Sequence, residues 1–264
     1  MRLVIATTAG DPLAPVFWEA YRTAGGPSAV AVFLLRPRRR VSAVRRVAEG
    51  LLLFGPSGAL YWWQQKRRLR RPADSLLPLS DATRVRHVGS LNRGEGHQAL
   101  RDVQADVLAS VGSPEIFKPS TLALARWGAL NVHHGRLPTY RGLFGTFWEA
   151  LHGEAWGYTT VHRMDAGIDT GAVLAEARVP LGRRHLLEVL IEKRRVGGRL
   201  LADVLGRAAA AGALPPAIPR HDGVVGYHGW PSLADLLRFR LGTRRGARGG
   251  PVRAGDALGS GGGR

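Results

Sequence analysis

Ala29-Val-Ala-Val-Phe-Leu-Leu35 is a run of seven apolar residues without a polar interruption, and no other stretch constrains the fold as much. A strand with one face in water alternates apolar and polar side chains, so an unbroken run of strand length marks a strand covered on both sides. A second run, from Arg2 to Gly10, ends in small residues and predicts a strand followed by a loop. Phe17 to Thr23 has the mixed pattern of a helix between these two strands, which makes a β-α-β start. Ala105 to Val111 and Ala129 to His133 predict two more strands, separated by a helix over Pro119 to Arg126. Thr159 to His162 and Ala172 to Val179 predict later strands, and His185 to Ala211 a long helix. The expected fold class is α/β: a Rossmann-like, mostly parallel sheet with helices on both faces.

At 264 residues, 45% of them hydrophobic, the chain can build one large catalytic domain, expected over residues 1–241. It holds no run of about 18 uncharged apolar residues. Met1-Arg-Leu-Val-Ile-Ala6 predicts a first strand and not a signal peptide, so the expected location is cytoplasmic. With no cysteine, disulfides, thiolate metal sites and thiol nucleophiles are excluded. The net charge of +18 comes almost wholly from arginine. An anionic partner and the Ala, Gly and Arg bias of a GC-rich genome both account for it.

Two segments stand apart. Residues 41–71 form an insertion with apolar centres, Leu51 to Phe54 and Leu60 to Trp63, between arginine-rich ends. Two short amphipathic helices broken at Gly55-Pro56 fit this pattern, packed on the domain or, alternatively, lying against a membrane surface or a partner. From Gly242 to Arg264, Gly and Arg dominate and apolar residues are too sparse to offset the entropy of ordering, so a disordered tail is expected over 242–264.

The chemistry concentrates in two blocks. The first is Asn131-Val-His133-His-Gly-Arg-Leu-Pro138-Thr-Tyr140-Arg-Gly142, and the second is His162-Arg-Met-Asp165-Ala-Gly-Ile-Asp169-Thr-Gly171. An N-x-H pair at a strand end puts both side chains on one face, where an amide donor and a titratable ring can meet one substrate atom. Singly, an Asn after a strand is a turn former, a His a surface or core residue, and an Asp before Thr-Gly a loop cap. Their ordered joint occurrence argues for a site. The first loop, Thr7 to Asp11, lacks the repeated glycines of a dinucleotide or Walker fingerprint.

These two blocks, with the aromatic residues Phe144, Phe147 and Trp148 and the Gly153-Glu154 pair between them, resemble the formyltransferase fold family. The resemblance is closest from about Val107 to Leu181. It implies transfer of a formyl group from 10-formyltetrahydrofolate to an amine, with Asn131, His133 and Asp169 as the catalytic residues. Asn131 would donate to the oxyanion of the tetrahedral intermediate. His133 would donate to the same oxygen and share in proton transfer, while Asp169 orients it, holds an ordered water and helps remove the amine proton. His162 would line the site from the next strand, with a structural role as the alternative.

For the folate, the resemblance implies contacts from Gly112, Ser113, Pro114, Ile116 and Phe117, from Leu137 and Pro138, and from the loop beginning at Asp165, much of it through backbone. It implies no metal. Gly135 stands where many relatives carry serine. The expected acceptor is a small amine, an aminosugar nucleotide or an amino-acid-derived metabolite. The glycinamide ribonucleotide acceptor is disfavoured because the first loop lacks the Gly-x-Gly-Ser-Asn stretch that holds its phosphate. A nucleic-acid acceptor is not expected, since no C-terminal barrel is legible after Ala211. The alternatives are a methionyl-tRNA formyltransferase-like enzyme, a formyltetrahydrofolate hydrolase, and a noncatalytic nucleic-acid-binding protein of the same fold.

Overall fold

The computed structural model describes residues 1–36, 42–68, 77, 79–182, 185–219, 221 and 223–245. Its centre is a seven-stranded sheet in the order β3-β2-β1-β4-β5-β7-β8. These are β1 (Leu3–Thr8), β2 (Ala29–Leu35), β3 (Leu79–Val88), β4 (Val107–Val111), β5 (Gly128–His133), β7 (Trp156–Arg163) and β8 (Val173–Pro180). The first five in this order are parallel, and β7 and β8 run antiparallel to their neighbours. The parallel strands connect through helices, whereas β7 and β8 are joined directly by the loop from Met164 to Ala172, as an antiparallel pair allows.

Both faces of the sheet are covered, as the unbroken run at Ala29 requires. On one face α1 (Ala14–Thr23) and α6 (Leu186–Ala211) bury Phe17, Trp18, Tyr21, Leu201 and Leu205 against Ile5, Val32 and Val107. Gly198 allows this contact, because a Cβ there would lie 2.3 Å from the Phe17 carbonyl oxygen. On the other face α3 (Gly94–Val103) and α4 (Pro119–Leu122) pack Leu100, Phe117 and their neighbours onto Val4, Phe33 and Leu108.

A third apolar layer lies beside the sheet. It joins α2 (Ala43–Arg68), α5 (Gly145–Leu151), the start of α6 and α7 (Leu233–Arg245) through Leu53, Phe54, Phe147, Leu186, Leu236 and Phe239. Within α2 the backbone leaves helical geometry at Gly55 (φ 68), just before Pro56. The two-helix reading of the insertion is thus seen in the described part, while residues 69–71 lie outside it.

Two expectations need correction, and two elements were not expected at all. The helix at Pro119 stops at Leu122 and not Arg126, because the chain turns to let Arg126 and Trp127 hydrogen-bond to the carbonyls of Ala105 and Asp106. The tail does not begin at Gly242: burial of Leu236 and Phe239 anchors α7, which carries Gly242 to Arg245 as helix. Residues 246–264 of the expected disordered tail lie outside the described residues. Finally, β3 and α3 have no counterpart in the sequence reading. β3 is an edge strand dominated by polar residues and offers no apolar alternation, while α3 opens on Gly94-Glu-Gly96, and glycine is a poor helix former.

Candidate active site

Two strands and a loop assemble the site. Asn131 and His133 alternate on β5 and share a face, while Leu130 and Val132 point into the core. Pairing of β5 with β7 sets His162 directly opposite Asn131. Asp169 arrives from the loop between β7 and β8 with a left-handed backbone (φ 52), a conformation unfavourable to most residues but one that Asp tolerates. Its carboxylate is held there by the Gly142 amide, which donates to Oδ2 over 2.8 Å.

The hydrogen bonds fix the tautomers. His162 Nδ1 lies 2.8 Å from the Arg163 carbonyl oxygen, which only accepts, so this nitrogen carries the proton. Its Nε2 lies 3.2 Å from Asn131 Nδ2 and 3.4 Å from Asp169 Oδ1. Asn131 Nδ2 also donates to Asp169 Oδ1 at a long 3.4 Å, which makes this N–H the donor most readily turned to a substrate oxygen.

His133 Nε2 donates to the Tyr140 carbonyl at 2.6 Å, leaving Nδ1 to face Asp169 Oδ2 at 3.4 Å. Burial pushes His133 below its ordinary pKa, with Asp169 opposing. Burial alone would raise Asp169, but His133, His162 and the Gly142 amide outweigh it and hold the carboxyl well below the usual range. The two shifts answer to one contact, since a proton on His133 would itself lower Asp169. Burial of the ring, only 7% exposed, decides for a neutral imidazole beside an ionised carboxylate.

Behind the site lies a fully buried ion pair, Glu149 of α5 with Lys193 of α6. Glu149 also accepts from the amides of Arg136 (2.9 Å) and Tyr158 (3.0 Å), and Lys193 donates to Thr146 Oγ1 (3.1 Å) and the His134 carbonyl (3.5 Å). The pair therefore clamps the turn from His134 to Arg136 that follows β5. Burial pushes Glu149 up and Lys193 down, yet every proton of the ammonium has an acceptor and the carboxylate has three donors. Gly135 sits in this turn.

A late segment closes the other side. β9 (Tyr227–His228) pairs in parallel with β6 (Arg141–Gly142), and the His228 ring lies between Tyr140 and Trp148 at centroid distances of 5.5 and 5.0 Å. Val225 from this segment, with Leu137, Pro138, Arg141, Asp169, Thr170 and Gly171, walls a small open cleft.

Of the expected folate residues, Leu137 and Pro138 stand in that cleft with Asp169. Gly112, in left-handed conformation, and the exposed Ile116 belong to the loop after β4, with Ser113 and Pro114, and are not among the cleft's lining residues. The Phe117 side chain is 2% exposed and packs in the core, so only its backbone can face a ligand. Asp165 bonds within its own loop, to the Gly167 amide and the Thr170 hydroxyl. The Tyr140 carbonyl, the Gly142 amide and Val225 were missed in the sequence. The first two are backbone groups, and Val225 comes from a segment distant in the chain.

The model of the family described as "Formyl transferase" matches residues 64–196, about half of the chain. The chain belongs to this family. Among its relatives, a methionyl-tRNA formyltransferase of Synechococcus sp. (strain JA-3-3Ab) is 33% identical over 57% of this chain and 47% of its own length. That of Bordetella pertussis is 36% identical over 46% of this chain and 39% of its own. The chain thus spans about half the length of the curated relatives it matches. A sugar N-formyltransferase from a Shewanella species shares the fold with a TM-score of 0.53 at 15% identity, covering 90% of this chain and 88% of that one. Glycinamide ribonucleotide transformylase 1 from Geobacillus kaustophilus gives 0.50 at 21% identity, over 78% and 98%. The expectation against a nucleic-acid acceptor finds no support in these relatives, since both methionyl-tRNA formyltransferases are named for a tRNA. No described helix of this formyl transferase family member is long and apolar enough to cross a membrane.

Proposed function

We propose that this protein transfers a formyl group from 10-formyltetrahydrofolate to the amine of a small acceptor. The observation that carries the reading is the convergence of Asn131, His133 and His162 on Asp169, all within 3.4 Å. The amine nitrogen attacks the formyl carbon, and the carbon's bond to the folate nitrogen breaks. As charge gathers on the formyl oxygen, Asn131 turns its weakly engaged N–H from Asp169 to that oxygen. The amine proton passes to His133 Nδ1, the ring nitrogen left bare by the Tyr140 bond, and from there to the departing folate nitrogen. Asp169 stabilises the imidazolium formed in between. Because Nε2 is engaged by Tyr140, His133 acts here through Nδ1. Leu137 and Pro138, beside Asp169, form an apolar wall suited to the flat face of the folate.

The names of the matched relatives and the charge of +18 favour a second reading, in which the amine belongs to an aminoacylated tRNA. One experiment addresses both: release of tetrahydrofolate measured with a panel of aminosugar nucleotides, amino-acid-derived amines and methionyl-tRNA. Asn131→Ala and Asp169→Asn should each lower turnover with the productive acceptor by at least about 100-fold. Turnover near that of the parent in either variant removes the assignment.

A further inference from the structure

On helices α2 and α7 apolar side chains divide between core and solvent. Leu53 and Phe54 of α2 and Leu236 and Phe239 of α7 are buried in the third apolar layer. On α2 the row Val44, Val47 and Leu51 (80, 61 and 43% exposed), which runs at steps of three and four into the buried Phe54, stays in solvent, as do Leu60 and Trp63 beyond the break. On α7 the exposed row comprises Leu233, Leu237 and Leu241 (50, 49 and 61% exposed), a stripe at steps of four. The same two helices are rich in cations. α2 contains Arg45, Arg46, Lys66, Arg67 and Arg68 against Glu49, and α7 contains Arg238, Arg240, Arg244 and Arg245 against Asp235.

We propose that α2 and α7 form a docking face for an anionic lipid surface. Charge complementarity selects this occupant. Apolar side chains at helical spacing suit the acyl boundary, the excess of cationic over acidic residues in the sequence of the same helices complements anionic headgroups, and tryptophan favours that interface. RNA would be met by cations alone, with no use for rows of Val and Leu. A second copy of this chain would bring the same positive charge to the contact. The face is independent of the reacting centre, but the chain links them: Val225 in the cleft wall leads through the β9 segment directly into Leu233. Docking would hold the cleft near the headgroup plane.

The test is sedimentation of the full chain with phosphatidylcholine vesicles, with and without phosphatidylglycerol, beside the variant Val47→Asp/Leu237→Asp. The parent should pellet with the anionic vesicles only, less so at high salt, and the variant should lose at least about tenfold in partitioning. Should that variant fail to fold, Leu241→Ser, in the last turn of α7, should still weaken binding measurably. Failure to pellet, equal pelleting with neutral vesicles, or equal pelleting of folded stripe variants overturns the proposal; the last outcome would assign binding to arginines elsewhere. Stripe-dependent dimerisation without vesicle binding overturns it in favour of self-association.

Discussion

Adding one methyl group at Gly135 should disable the site while leaving the fold standing. A Cβ at this position would lie 2.8 Å from His133 Nε2, 2.8 Å from the Tyr140 carbonyl oxygen and 3.1 Å from Tyr140 Cβ. Ordinary contacts at such atoms are about 3.5 Å, so both partners of the 2.6 Å Nε2–carbonyl bond must withdraw by roughly half an ångström or more. The ring loses a hydrogen bond worth about 1 kcal/mol and, with it, its tautomer and aim. A displacement approaching 1 Å in a reacting group can cost about 100-fold, so Gly135→Ala should lower kcat/KM by about 10- to 100-fold. Overpacking should cost stability about 1–3 kcal/mol. Formyl-dependent release of tetrahydrofolate measures the first quantity and urea unfolding the second. Gly206→Ala, on α6 with nothing within 4 Å of the added carbon, is the matched control and should leave turnover unchanged. Full turnover in Gly135→Ala would refute the argument that the Tyr140 carbonyl seats His133.

Lys193→Met should destabilise the protein by about 3–5 kcal/mol, because it strands a buried carboxylate, and Glu149→Gln in the same chain should restore much of the loss. Burial already raises Glu149, and removing Lys193 raises it further; an acid raised in the fold is favoured when protonated, so the deficit should be smaller at pH 5 than at pH 8 in urea unfolding. Since burial lowers His133 and the neutral ring takes the amine proton, the acid limb of the pH–rate profile should lie below the ordinary imidazole value of 6.5, and Asp169→Asn should move it further down. A limb above pH 7 would contradict the neutral-ring assignment. His228→Ala should lower kcat more than it raises KM by loosening β9, β6 and the Gly142 amide that holds Asp169, and His228→Phe should recover most of the loss by restoring the stack. Equal activity of both variants with the parent would show that the segment merely covers the site.

The parts legible in the sequence were those whose pattern is local. The run at Ala29 has the bounds of β2, and the N-x-H alternation on β5 brings Asn131 and His133 to one carboxylate. Asp169 was legible through its place in an ordered motif, although its left-handed backbone was not. What escaped reading depends on long-range contact. Phe117 looks like a loop residue in sequence, yet its ring fills the gap under α4; β3 is a strand because β2 offers it an edge, not because its own residues demand it. His162 was placed beside the site, but its tautomer and its bond to Asn131 come from strand register and a neighbouring carbonyl. The seat of His133 is a carbonyl oxygen, and backbone atoms leave no signature in residue identity.

The short pairing of β9 with β6 makes the end of the chain a condition of the chemistry at its middle. Asn131, His133, His162 and Asp169 have all been synthesised once Asp169 has emerged, but the strand that steadies their anchor has not. A nascent chain, or one clipped before Gly223, would carry Asn131, His133 and Asp169 and still lack the wall at Val225 and the partner of Gly142. Under the proposed function, turnover would then check the integrity of the polypeptide, because a complete site requires a chain intact through His228.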